Sequence, residues 1–239
     1  MGEDGLPCVP FSDGEIAFYR RFIREPVASR STMLRTIIER WGFCERHAFG
    51  LLTVSASIPR SGMNTAAVLF LHTTANAIKT LDRQLAGMSV GTPMLRNSDQ
   101  CPMCELGFDG NSPGFIRRQW LSLPSSLERL QTLMNSTREY WGPTVCHDCG
   151  GPRGGITCRS HLAVPSPAEA DDPGPADLGM QRSFLEGCRR NLERSLPTFG
   201  PDGTGEEVGE GVAALVSAAG WCCGWRTLLI AVGYSGANV

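Results

Sequence analysis

Four pairs of metal-type ligands, each with two residues between its members, constrain this chain more than any other feature. They are Cys44 with His47, Cys101 with Cys104, Cys146 with Cys149, and Cys158 with His161. Two ligands at this spacing fold as a tight knuckle whose donors both point at one ion, and zinc takes about four donors in a tetrahedron. Eight ligands in four pairs therefore make up two tetrahedral sites. The competing reading treats the cysteines as small buried hydrophobes. It fits the pattern poorly, because the pairs use six of the ten cysteines and two of the four histidines. Within CPMC, Pro102 restricts the knuckle, and in CHDCGG, Gly150 permits the sharp reversal such a loop requires.

What the thiols are for depends on the redox compartment. The first residues, MGEDGLPCVPFSDGE, carry acids where a secretory leader would carry bases, and they lack an apolar core. Export is not expected, which places the chain in the cytoplasm, where thiolates hold metal more readily than they form disulfides. The most apolar stretch, Val212 to Trp225, ends at Arg226 and falls short of the roughly 20 residues that span a bilayer. It reads as a buried helix, so no membrane is expected. A net charge of −2 supplies no global field for nucleic acid or anionic lipid, although Arg153 and Arg159 near a knuckle offer a local alternative.

Periodicity points to a mainly α fold, with helical domains tied by Cys/His zinc knuckles. Leu34, Ile37, Ile38 and Trp41 recur at helical spacing, with Ser29 or Ser31 as a cap, and that helix runs into Gly42. Ser61 can cap a long helix from Gly62 to Leu85, whose Ala66, Leu69, Phe70, Thr73, Ala77, Ile78, Leu81 and Leu85 form an apolar stripe. Ser125 with Glu128 has the form of a capping box, which predicts a helix over 126–140. PSPAEADDPGPAD, at 165–177, is too poor in apolar residues to order a backbone and reads as a linker. Helices are predicted over 178–196 and 208–232, separated by TFGPDGTGEE. Few segments alternate as strands do. The expected organisation is a helical half over 1–95 carrying C-x-x-H, a metal-binding half over 96–164, the linker at 165–177, and C-terminal helices over 178–239 that pack on the core.

Spacing leaves the pairing of the half-sites open. In CHDCGGPRGGITCRSH the two knuckles could close around one ion at low loop entropy. The long-range alternative joins Cys101 and Cys104 to Cys158 and His161 across a helical insertion. An internal repeat favours the latter: WGFCERHAFGLL resembles GGITCRSHLAVP, and CVPF lies upstream of Cys44 much as CPMC lies upstream of Cys158. In the first half Phe11 then stands where a second cysteine is expected, leaving Cys8, Cys44 and His47. Three protein ligands would leave a position open to water, as in catalytic zinc sites. Loss of that site, or a fourth ligand from Cys146 or Cys149, is the competing expectation.

The order CPxC, helices, GFCxxH before an Ala-rich helix, CPxC again, then CxxHL resembles a group of uncharacterised bacterial proteins with duplicated Cys-pair and Cys-x-x-His motifs, over roughly Cys8 to Leu162. The resemblance implies a helical, metal-binding, cytoplasmic protein. It also implies that Cys101, Cys104, Cys158 and His161 are the intact set and Cys8, Cys44 and His47 the incomplete one. It transfers no activity.

Other candidates have simpler explanations. Cys222 and Cys223 in GWCCGWR point about 100° apart on a helix, which favours core packing. Cys188 lies beside Arg189 and Arg190, which would lower its thiol pKa if it were exposed. His72 reads as a core or boundary histidine, and His147 as exposed within its knuckle. An iron–sulfur cluster would need four thiolates, which Cys101, Cys104, Cys146 and Cys149 could supply; haem is a further alternative, without a CxxCH motif. No dinucleotide fingerprint, Walker loop, HExxH or GxSxG occurs. The leading expectation is a zinc-stabilised scaffold or interaction module with a protein partner. A metal-dependent enzyme of bacterial specialised metabolism, acting on a small molecule at Cys44 and His47, is the alternative, and nucleic-acid binding is disfavoured.

Overall fold

The computed structural model of the chain describes residues 11–24, 31–58, 62–87, 95, 100–114, 123–152, 156–163, 175–199 and 205–234. The described elements are α1 (Asp13–Arg24), α2 (Ser31–Glu39), α3 (Glu45–Ser57), α4 (Gly62–Leu85), α5 (Pro102–Glu105), α6 (Leu123–Ser136), α7 (Arg138–Trp141), α8 (Arg159–Ala163), α9 (Pro175–Ser195), α10 (Gly205–Cys223) and α11 (Arg226–Ala231), with 3₁₀ turns at Gly142–Thr144 and His147–Cys149. The fold is mainly α, and no strand occurs among the described residues.

Helix α4 spans the predicted bounds, and its stripe from Ala66 to Leu81 is buried, as the helical period requires, whereas Leu85, the last residue of the predicted stripe, is exposed at the helix end. It lies against α9, α3, α10 and α2. The facing side of α9 carries Leu178, Gln181, Leu185, Cys188, Leu192 and Ser195, all buried. Steps of three and four along this series make a narrow seam that faces one neighbour continuously. Helix α3 is buried all round from His47 to Ala56, so it is the central helix and touches α1, α4, α6 and α11. Polar side chains inside the core bond locally: Thr53, Thr73 and Thr74 return their hydroxyls to the carbonyls of Phe49, Leu69 and Phe70.

The C-terminal apolar segment is not one helix. It breaks at Gly224, which adopts φ +115°. The Trp225 indole then folds back over Gly220, and Glu45 packs against Gly224 and accepts the Arg226 backbone N–H at 3.0 Å. Residues with a Cβ rarely adopt such a φ, so the glycine sets the corner. Helix α10 begins at Gly205, three residues before the predicted start, and none of the described helices is long and apolar enough to cross a membrane. Helix α6 begins at Leu123, which places Ser125 inside the helix rather than at its cap, and it ends at Ser136 before the separate turn α7. Ser29 and Ser61 lie outside the described residues, as does most of the predicted linker; α9 starts at Pro175, a residue suited to the first helical position.

Candidate metal centres

Each of the four knuckles is the first turn of a helical element. Cys44, Cys101 and Cys146 precede α3, α5 and the turn His147–Cys149, and all three have extended-type backbone angles. Cys158 precedes α8. The second ligand of each knuckle falls three residues later, so both donors share one face of the turn. Gly150, with φ +108°, ends the CHDC knuckle and lets the Gly151 N–H return to the Cys146 carbonyl at 3.0 Å.

The donors converge as two sets: Cys44, His47, Cys101 and Cys104 form one, and Cys146, Cys149, Cys158 and His161 the other, with all donor atoms of a set within 4.8 Å of one another. In the first set, His47 Nδ1 lies 3.2 Å from Cys44 Sγ and 3.4 Å from both Cys101 Sγ and Cys104 Sγ, and the Cys44 and Cys104 sulfurs are 3.9 Å apart. In the second, His161 Nδ1 lies 3.3 Å from Cys146, 3.5 Å from Cys149 and 3.2 Å from Cys158, and the Cys149 and Cys158 sulfurs are 3.9 Å apart. A tetrahedron with the usual zinc–sulfur and zinc–nitrogen bond lengths has edges of about 3.8 Å between sulfurs and about 3.6 Å between sulfur and nitrogen. The sulfur–nitrogen distances of 3.2–3.5 Å and the sulfur–sulfur distance of 3.9 Å in each cluster lie close to these edges, and the cysteines are free thiols.

The electrostatics of the bare clusters favour a cation at their centres. Three sulfurs this close cannot all ionise unaided. In the first cluster one thiolate takes the charge: the Cys44 hydrogen bond pulls Cys101 down to about 3, while that same bond, with burial, pushes Cys44 far up. In the second, hydrogen bonds from Cys149 and Cys158 pull Cys146 far down; the bond to Cys146 pushes Cys149 up to about 12, and Cys158 rises further. A divalent ion would let all three sulfurs of each cluster ionise together.

This pairing overturns three expectations. Cys101 and Cys104 do not join Cys158 and His161; the compact alternative holds for the second cluster, so the resemblance-implied intact set is not assembled. The first cluster is complete with four protein donors and takes none from Cys146 or Cys149, so it has no position open in the manner expected for Cys44 and His47. Cys8 lies outside the described residues, and Phe11 is a buried core aromatic, 5.7 Å from Phe49 and 6.4 Å from Tyr19 between ring centroids. The four thiolates suggested for an iron–sulfur cluster are divided between the two sets.

The surroundings of the two clusters differ. Behind the first, Glu15 is 0% exposed, and its Oε1 lies 3.1 Å from His47 Nε2, an approach short in distance though not aligned as a hydrogen bond. Arg46 grips both carboxylate oxygens at 2.8 Å, and the Ser12 N–H donates to Glu15 at 2.8 Å. Burial pushes the Glu15 carboxyl up, but the bonds from Arg46 and Ser12 outweigh it and hold it below its ordinary value. Arg40, at the end of α2, pairs with Glu105 and donates to the Gln100 carbonyl at 3.2 Å, fixing the CPMC knuckle. Spacing of metal-type residues could not reveal Glu15 or Arg46. The available signal was the S-x-x-E of Ser12 and Glu15, a capping box in which the Glu15 N–H also returns to Ser12 Oγ at 3.2 Å. His161 has no such support: all its polar contacts among the described residues run through Nδ1, and it is half-exposed.

Other candidates find plainer places. Cys188 sits in the buried seam of α9, where burial pushes its thiol up to about 12, and Arg189 is engaged by Glu186 and Glu193. Cys222 and Cys223 are buried between Trp221 and Trp225, which are themselves buried. His72 is exposed, not in the core, and His147 is exposed in its knuckle. Arg159 is buried, donating to the carbonyls of Cys222 at 2.8 Å and Leu95 at 2.6 Å, so it cannot face a phosphate; Arg153 lies outside the described residues. Two Cys/His clusters compatible with metal binding are the chemistry this fold assembles. No protein-family description, curated protein or solved structure matches the chain.

Proposed function

We propose that the chain is a zinc-stabilised helical scaffold, an interaction module whose two closed Cys₃His centres lock helix ends so that a fixed outer surface meets a protein partner. The observation that carries this reading is the convergence of eight donors, drawn from four knuckles, into two sets of four whose atoms lie within 4.8 Å of one another, a size that suits a tetrahedral ion. Four protein ligands at each centre match structural rather than catalytic zinc, and the mixed sulfur–nitrogen donor sets favour zinc over a four-thiolate cluster. The first cage joins α3 to α5, and the second joins the turn at His147–Cys149 to α8, so each ion replaces core where the connecting elements are too short to supply it.

Elemental analysis of protein purified under reducing conditions without chelator should find two zinc ions per chain. Removing them should abolish the cooperative thermal transition, and returning zinc should restore it. Protein that holds no stoichiometric transition metal, or that keeps its transition unchanged after chelation, refutes the proposal.

A further inference from the structure

The two clusters have the same donors but not the same access. His47 is 1% exposed, and the buried Glu15 carboxylate, itself gripped by Arg46, stands 3.1 Å behind its Nε2. A carboxylate behind a ligating imidazole orients the ring and raises its basicity, and loss of such support typically costs about 10–100-fold in metal affinity. His161 lacks that support and is half-exposed. It also lines a cavity of about 790 Å³, together with Cys149, Cys158, Arg226 and, from the first cluster, Cys44. That volume admits a small chelating molecule beside the second cluster. The first cluster offers the cavity one thiol and keeps its imidazole away from it.

The Gly224 corner forms one wall of this cavity and reaches both clusters. The Arg226 backbone N–H donates to Glu45, the residue after Cys44, and Gly224 and Arg226 line the cavity together with Cys149, Cys158 and His161.

Resting on the zinc reading above, we propose that the clusters divide the work. Cys44, His47, Cys101 and Cys104 form a permanent clamp, whereas Cys146, Cys149, Cys158 and His161 form an exchange site that yields zinc to small multidentate ligands entering the 790 Å³ cavity. His161 is the ligand that lets go first: it is the uncharged donor of its set and has no carboxylate to hold it. No electron transfer is involved; the incoming ligand replaces His161 and then the three thiolates, which take up protons as they are released.

The test starts from the full chain carrying two zinc ions and follows zinc transfer to 4-(2-pyridylazo)resorcinol by absorbance. N-ethylmaleimide pulses and peptide mass spectrometry report which thiols become free. Two phases of equal amplitude are expected, differing at least about tenfold in rate, the lower end of the effect of such support. The fast phase should expose Cys146, Cys149 and Cys158 while Cys44, Cys101 and Cys104 stay protected. Glu15→Gln should accelerate the slow phase and bring the two rates together. Should that variant not fold, His161→Cys gives the comparison from the other side, because a thiolate in place of the imidazole should slow the fast phase. Release of both ions at one rate, or earlier labelling of Cys44, Cys101 or Cys104, overturns the division of work but leaves two zinc centres standing. A starting protein with fewer than two ions overturns the zinc reading and this inference together.

Discussion

Removing one knuckle from each centre in turn should destabilise the fold by unequal amounts. With zinc bound as proposed, each ion would tie together distant points of the chain, and the entropy lost by the unfolded chain on closure grows with the length of loop closed. The first centre bridges His47 and Cys101, 54 positions apart, and the second bridges Cys149 and Cys158, 9 apart. The chain-entropy relation for a cross-link then assigns about 4.2 kcal/mol to the first closure and about 2.6 kcal/mol to the second. The ligand sets are chemically identical, so bond energies largely cancel in the comparison and the difference of about 1.6 kcal/mol reflects topology. For a chain of this size, 1 kcal/mol lowers Tm by about 2–4 °C, so Cys101→Ala/Cys104→Ala should drop Tm by about 8–17 °C and Cys146→Ala/Cys149→Ala by about 5–10 °C. The assay is circular dichroism at the helical minimum during heating, in zinc-containing buffer, with metal content measured on each variant. Equal shifts, or a larger shift for the second pair, would refute the argument that the long-range clamp carries more of the stability.

Three further outcomes follow from individual contacts. Cys188, pushed up to about 12 by burial, should resist iodoacetamide at pH 8 in the native protein and react fully in urea; labelling of native protein would show the α9 seam to be open. Gly224→Ala places a Cβ 2.2 Å from Glu45 Oε1 at φ +115°, and strain of this kind should cost about 1–3 kcal/mol, read as a lower urea midpoint with an unchanged slope. Arg159→Met removes two hydrogen bonds from a buried cation to the carbonyls of Leu95 and Cys222, each worth about 1.5–3 kcal/mol. It should therefore lower the denaturation midpoint far more than Arg226→Met, whose side chain is exposed.

Much of this protein was legible in the order of its residues. Local chemistry determined the four knuckles, because two donors three positions apart share a face whatever surrounds them. It determined α4 to the residue, because apolar spacing of 3.6 admits only one buried side. It also held the seam of α9, in which Cys188 stands at a core position, although the neighbouring arginines suggested a reactive thiol. Tertiary structure decided which knuckles meet. Loop closure changes only logarithmically with length, so spacing separates the alternatives by about 1–2 kcal/mol, less than helix packing contributes. The repeat pointed towards Cys101 with Cys158, but the fold sets α5 beside the end of α2, where Arg40 meets Glu105 and the Gln100 carbonyl, and Cys101 and Cys104 meet Cys44 and His47. Packing likewise broke the last helix at Gly224 and placed Glu15 behind His47, since a carboxylate becomes a partner of the imidazole only once α1 lies against α3.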